Sequence, residues 1–145
     1  MKIDLLYGRS GLTVDFPDHL KVQVIRKRPM PLLPDPGGAV SEALKNPVGS
    51  PSLLQLAKGK RNACILICDI TRPVPNGLIL PPLLDTLTRA GIARENILIL
   101  VATGLHRPNE GEELREVVGS EEIYRAFRIE NHFARNREDH TDLGK

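Results

Sequence analysis

Two uninterrupted apolar runs, Ala63 to Cys68 and Ile97 to Ala102, constrain this chain more than any other feature. An apolar run without alternation suits a strand buried on both faces of a parallel sheet. Between the runs a helix is expected to start near Pro81. It carries Leu83, Leu84 and Leu87 on one face and ends at Ala90, with Gly91 placed as its C-cap glycine. Strand, helix and strand in that order form a right-handed βαβ unit. The predicted fold class is therefore α/β: a Rossmann-like, mainly parallel sheet flanked by helices. A chain of 145 residues buries roughly 70% of its unfolded surface around one core, so a single α/β domain over residues 1–145 needs no disulfide or metal staple. Cys64 and Cys68 fall on one face of the same strand, too far apart to bridge, and read as buried thiols.

The flanking segments add smaller elements. Lys2 to Tyr7, Thr13 to Phe16 after the Gly8-Arg9-Ser10-Gly11 turn, and Lys21 to Arg28 read as short strands of a small antiparallel unit at the N-terminus. Pro29, Pro31, Pro34 and Pro36 with Gly37 and Gly38 predict an extended connector, followed by a short helix over Val40 to Lys45. Ser50 and Pro51 predict the start of another helix, closed at Gly59. Asn109 with Glu112 resembles a capping box for a helix reaching Val118 and Gly119, and a helix over Glu121 to Ala126 leads into a strand at Phe127 to Asn131. The polar tail from Phe133 onward has little to pack with.

Composition limits the function classes. A net charge of +2 and 3% aromatic residues provide neither the field nor the stacking platforms of a nucleic-acid binder. Neither apolar run approaches the roughly 20 residues of a membrane-spanning helix, and residues 1–8 do not read as a signal peptide, so a cytoplasmic location is expected.

In open parallel sheets, ligands bind beyond the carboxyl ends of the strands. Two Pro-locked loops lie there: Asp69-Ile70-Thr71-Arg72-Pro73-Val74-Pro75 and Thr103-Gly104-Leu105-His106-Arg107-Pro108. If the strands are neighbours, Asp69, Thr71 and Arg72 share a pocket with Thr103, Gly104, His106 and Arg107. The proline after each arginine holds it extended, and a guanidinium so placed clamps a carboxylate or phosphate with two hydrogen bonds. Gly104 permits positive φ or close approach of a ligand, and His106 exchanges protons near neutral pH. The plainer roles are that Asp69 bonds loop amides, Thr71 caps a turn, His106 is structural and Arg107 is a solvated charge. His132 and His140 match no compact zinc spacing and read as surface or packing residues.

These motifs, followed by Asn131-His132 and preceded by Tyr7-Gly8-Arg9-Ser10-Gly11-Leu12 with Phe16-Pro17, resemble the amino-terminal domain of the nickel-dependent lactate racemase family. The resemblance spans nearly the whole chain. It implies a racemase or epimerase acting on the hydroxyl-bearing carbon of a 2-hydroxy acid, with a nickel-pincer nucleotide as cofactor and proton-coupled hydride transfer as mechanism. By motif position, His106 resembles one of the family's two acid/base histidines. Arg72 resembles a residue that holds the substrate carboxylate. Asp69, Thr71, Thr103, Gly104 and Arg107 belong to the same active-site or cofactor-facing loops.

The resemblance also implies a second domain, absent from these residues, that supplies the other catalytic histidine, the lysine joined to the cofactor and the nickel-ligating histidine. No metal ligand is therefore expected in this chain, and its partners would be the hydroxy acid and that C-terminal domain, in cis or as a separate chain. Alone, the 145 residues are expected to be inactive. The competing expectation is a non-catalytic anion- or nucleotide-binding module. A nicotinamide-dependent dehydrogenase is disfavoured because no G-x-G-x-x-G follows a strand and opens a helix.

Overall fold

The computed structural model describes residues 1–144, which divide into two compact units, Met1–Leu32 and Leu33 onward. In the first unit, β1 (Lys2–Leu5) pairs antiparallel with β2 (Leu12–Asp15), Asp4 opposite Thr13. The Thr13 hydroxyl donates to Asp4 across the pair at 2.6 Å, and Gly11 N–H closes the turn onto Tyr7 C=O at 2.9 Å. The third strand expected over Lys21 to Arg28 does not form; that segment is irregular and almost wholly exposed. Its alternation of apolar residues is strand-like, but only β1 and β2 pair in this unit, and a strand needs a ladder partner for its backbone groups.

The second unit contains a three-stranded parallel sheet in the order β3 (Ala63–Cys68), β4 (Ile97–Ala102), β5 (Arg128–Asn131). Ile65 lies beside Ile99, Ile67 beside Val101 and Ile99 beside Ile129, so these residues share one face. That face is buried with Leu80, Leu84 and Leu87 from α3 (Asn76–Arg89), Val117 and Val118 from α4 (Gly111–Val118), and Ile123 from α5 (Glu121–Ala126). Burying a Leu, Ile or Val side chain contributes about 1.5–3 kcal/mol, so this cluster is the main source of stability.

The opposite face corrects an expectation. Cys64, Leu66 and Cys68 are exposed, Leu66 by 68%, so β3 is buried on one face only and the two cysteines are accessible free thiols. Period two places these three residues together on the side opposite Ile65 and Ile67, and β3 is an edge strand of the sheet.

Helix boundaries also differ from the sequence reading. α3 begins at Asn76, with Pro81 and Pro82 inside it. Each proline removes a backbone donor, but the burial of Leu80, Leu84 and Leu87 holds the helix together across that gap. α1 (Pro36–Lys45) starts earlier than expected, because Pro36 occupies its first turn and the Asp35 carboxylate accepts from Gly38 N–H at 2.9 Å. α2 (Leu53–Ala57) is capped by Ser52, not Ser50, in a reciprocal box with Gln55. Gly91 and Gly119 follow α3 and α4 with φ of +100° and +70°, as helix-terminating glycines do.

Candidate functional site

The carboxyl ends of β3 and β4 lie side by side, Cys68 in register with Ala102, so the loops that follow emerge together. Asp69 is buried at 5% exposure, while His106 opens to solvent. His106 Nδ1 lies 2.5 Å from Asp69 Oδ2. A carboxylate only accepts, so Nδ1 carries the hydrogen and the outward Nε2 of the neutral ring presents a lone pair. The other Asp69 oxygen, Oδ1, accepts from the Thr71 hydroxyl at 2.6 Å and from Thr71 N–H at 3.2 Å. The Thr71 bonds, joined by His106, hold the Asp69 carboxyl below its ordinary value against the opposing effect of burial. The aspartate therefore remains an anion that orients and supports the histidine.

The single pocket expected for the two loops does not form: Asp69 with Arg72 and His106 with Arg107 line separate shallow cavities. One, of about 230 Å³, is lined by Asp69, Arg72, Pro73, Val74 and Asn76 among others. The second, of about 310 Å³, is lined by His106 with Gly104, Leu105, Arg107, Phe133 and Arg135. Gly104 adopts φ +59° with open space where a side chain would stand, and His106 N–H closes this turn onto Thr103 C=O at 3.0 Å. Arg72 is exposed, and among the described residues no carboxylate pairs with it. Arg72 sits in a bend, its N–H closing a turn onto Asp69 C=O at 3.0 Å, and not in the extended form expected before Pro73; its exposed guanidinium is of a kind that binds an anion.

The remaining residues of the two loops hold the architecture. Thr103 is buried and its hydroxyl donates to His132 C=O, so it ties β4's end to the segment after β5. Arg107 forms a two-pronged pair with Glu113, at 2.5 and 2.7 Å. The predicted Asn109 capping box is absent: Glu110 occupies the N-cap position of α4 with no side-chain cap bond. Asn109 has a different task. Fully buried, it accepts from Ile70 N–H at 3.2 Å through Oδ1 and donates to Glu113 at 2.8 Å through Nδ2. Its backbone exchanges two bonds with the Asn131 amide, at 2.9 and 2.8 Å. Asn109, Glu113 and Asn131 thus lock both loops to β5. The sequence reading missed Asn109 and Asn131 in this role, because an amide that bridges segments 22 and 39 residues away leaves no local pattern.

The Arg107 bonds, and then Asn109, bring the Glu113 carboxyl from 4.5 to about 2. A lowered carboxylate value contributes stability above the unfolded value, and that contribution disappears as pH falls through the folded one. Wild-type stability is therefore expected to drop between pH 4.5 and 2 more steeply than that of Glu113→Gln, as read by urea unfolding at stepped pH. Parallel acid profiles would contradict the assignment.

Residues 7–145 match the model of the lactate racemase N-terminal domain. The chain belongs to the lactate racemase family. A lactate racemase of Thermoanaerobacterium thermosaccharolyticum is 34% identical over 144 residues, which is 98% of this chain and 33% of that protein. One from Lactiplantibacillus plantarum is 47% identical over 89 residues, 58% of this chain and 21% of that protein. The solved structure of the T. thermosaccharolyticum lactate racemase apoprotein superposes with a TM-score of 0.76, over 99% of this chain and 33% of that one. This racemase-family domain thus spans about a third of the length of the relatives it matches, and its α/β architecture is theirs. Among the described residues no helix is long and apolar enough to cross a membrane.

Proposed function

We propose that this domain supplies the proton-handling half of a racemase acting on lactate or a similar 2-hydroxy acid. The observation that carries the reading is the buried Asp69 carboxylate on His106 Nδ1, which leaves Nε2 facing out of the fold as a base. His106 Nε2 takes the substrate's hydroxyl proton and returns it when the hydroxyl re-forms. Asp69 keeps the ring in the tautomer that can do this and stabilises the imidazolium while it holds the proton. Arg72 grips the substrate carboxylate, and Thr71, Thr103, Gly104 and Arg107 shape the loops around it.

The residues present suit part of the family's nickel-pincer nucleotide. Arg135 offers a cation to an anionic nucleotide, whereas no three His, Cys, Asp or Glu side chains converge among the described residues. Nickel would therefore take its ligands from the cofactor and from chain beyond this domain. When bound, the cofactor supplies the hydride-accepting centre. Racemisation inverts a carbon whose two faces need separate proton donors or hydride approaches, and one histidine serves one face. The 145 residues alone are therefore expected to show no turnover of either lactate enantiomer; sustained racemisation by the purified chain with cofactor would overturn the reading. In an enzyme that joins this domain to the rest of its relatives' length, Arg72→Ala should raise KM for lactate at least about tenfold, because a charge-assisted bidentate bond contributes about 1.5–3 kcal/mol.

A further inference from the structure

The sequence spacing of His132 and His140 suggested no shared role, yet the fold brings their rings together. His132 follows β5 and is fixed at the backbone, its N–H bonded to Val101 C=O at 2.9 Å and its C=O accepting from Thr103. The chain then doubles back. Asn136 N–H bonds Phe133 C=O, Asp139 N–H bonds Asn136 C=O, and His140 N–H bonds Arg137 C=O, at 2.9, 3.2 and 3.2 Å. The Asn136 amide also donates to Asp139 at 2.7 Å. This folded segment sets the two Nε2 atoms 3.0 Å apart, with the rings nearly perpendicular at 81°.

His140 Nδ1 lies 2.7 Å from Asn136 C=O. A carbonyl accepts only, so Nδ1 bears the hydrogen and Nε2 bears a lone pair. This is the arrangement by which a backbone carbonyl orients a metal-ligating histidine. Two ligand nitrogens about 2.1 Å from one tetrahedral zinc ion stand about 3.4 Å apart, so the two Nε2 atoms need separate by only about 0.4 Å to admit one. We propose that His132 and His140 form a two-imidazole site for a divalent transition-metal ion, separate from the Asp69–His106 dyad and independent of the proposed racemase chemistry. In the metal-free arrangement one proton on His132 Nε2 joins the rings. On metal binding that proton leaves Nε2 for Nδ1 or solvent, and both lone pairs turn toward the ion. His140 is exposed and His132 half-buried, so water completes the coordination, and imidazole ligands select zinc, nickel, cobalt or copper over magnesium or calcium.

The test uses the untagged 145-residue chain, titrated with Zn²⁺ and with Co²⁺ at pH 7.5 by calorimetry and by NMR of the histidine ring nitrogens. The expected result is one ion per chain, with the His132 and His140 ring signals moving together. His132→Gln and His140→Gln should each weaken binding at least tenfold, while Mg²⁺ produces no change. Because His140 is exposed and His132 is held through its backbone, the variants should melt as the wild type does. Should a variant unfold, the wild-type NMR titration alone decides. Absence of Zn²⁺ binding up to millimolar concentration, or binding that moves only His19 or His106, overturns the proposal.

Discussion

His106→Ala, in an enzyme that joins this domain to the rest of its relatives' length, is expected to slow racemisation by about two to four orders of magnitude. Lactate affinity should change by less than about threefold. The asymmetry follows from geometry. His106 is anchored through Nδ1 on the buried Asp69, which leaves Nε2 for a ligand, while the cation proposed for the carboxylate is Arg72, on the neighbouring loop. Removing the imidazole deletes the proton acceptor and leaves the carboxylate grip, so kcat falls and KM holds. A non-catalytic anion- or nucleotide-binding module makes the opposite forecast: its ligand binding would scarcely register the change, and there would be no turnover to lose. Stopped-time measurement of lactate enantiomers, paired with equilibrium binding, distinguishes the two.

Gly77→Ala should produce the largest loss of stability. A Cβ at Gly77 would stand 2.4 Å from the Gly119 carbonyl oxygen and 3.1 Å from its carbonyl carbon. Both are backbone atoms, so no rotamer change relieves the clash. Gly119 cannot easily retreat, since it terminates α4 with φ +70° and its N–H bonds Arg115 C=O at 2.9 Å. Next to it the buried Asn76 amide donates to Val117 C=O at 2.8 Å, clamping the start of α3 against the end of α4. Overpacking of this kind costs about 3 kcal/mol, which lowers Tm by roughly 10 °C. Gly37→Ala is the control. It lies within α1, its added Cβ would meet nothing nearer than Asp35 at 3.7 Å, and it should gain about 0.5–1 kcal/mol. Equal melting temperatures for Gly77→Ala and wild type would show that the two helix ends are not in the contact described.

The parts legible in the sequence were those written in local pattern. The runs at Ala63 to Cys68 and Ile97 to Ala102 form neighbouring parallel strands, and the helix over Glu121 to Ala126 has the boundaries its pattern predicts. Because both strands end at polar, proline-bounded loops, the meeting of Asp69 with His106 follows from parallel pairing alone. What escaped depended on partners distant in the chain. The Lys21 to Arg28 segment has a strand's alternation but no strand beside it. Cys64 and Cys68 sit in an apolar run whose one-sided cover only the sheet order reveals. The start of α3 was hidden by Pro81 and Pro82, whose local penalty is outweighed by leucines packed on the sheet. Arg107 illustrates the same limit: sequence placed it beside the ligand loop, but only the fold shows that Glu113 already holds its guanidinium.

Buried Asp69 lies against His106 Nδ1, which leaves Nε2 free for the base role proposed for it. The direct measurement is the tautomer of His106, read from its ring-nitrogen NMR shifts in the 145-residue chain, for wild type and Asp69→Asn. In the variant, the Asn oxygen must remain on the two Thr71 donors, which turns its NH₂ toward His106 Nδ1. The predicted result is hydrogen on Nδ1 in the wild type and on Nε2 in Asp69→Asn. Hydrogen on Nε2 in the wild type, or the same tautomer in both proteins, would contradict the account.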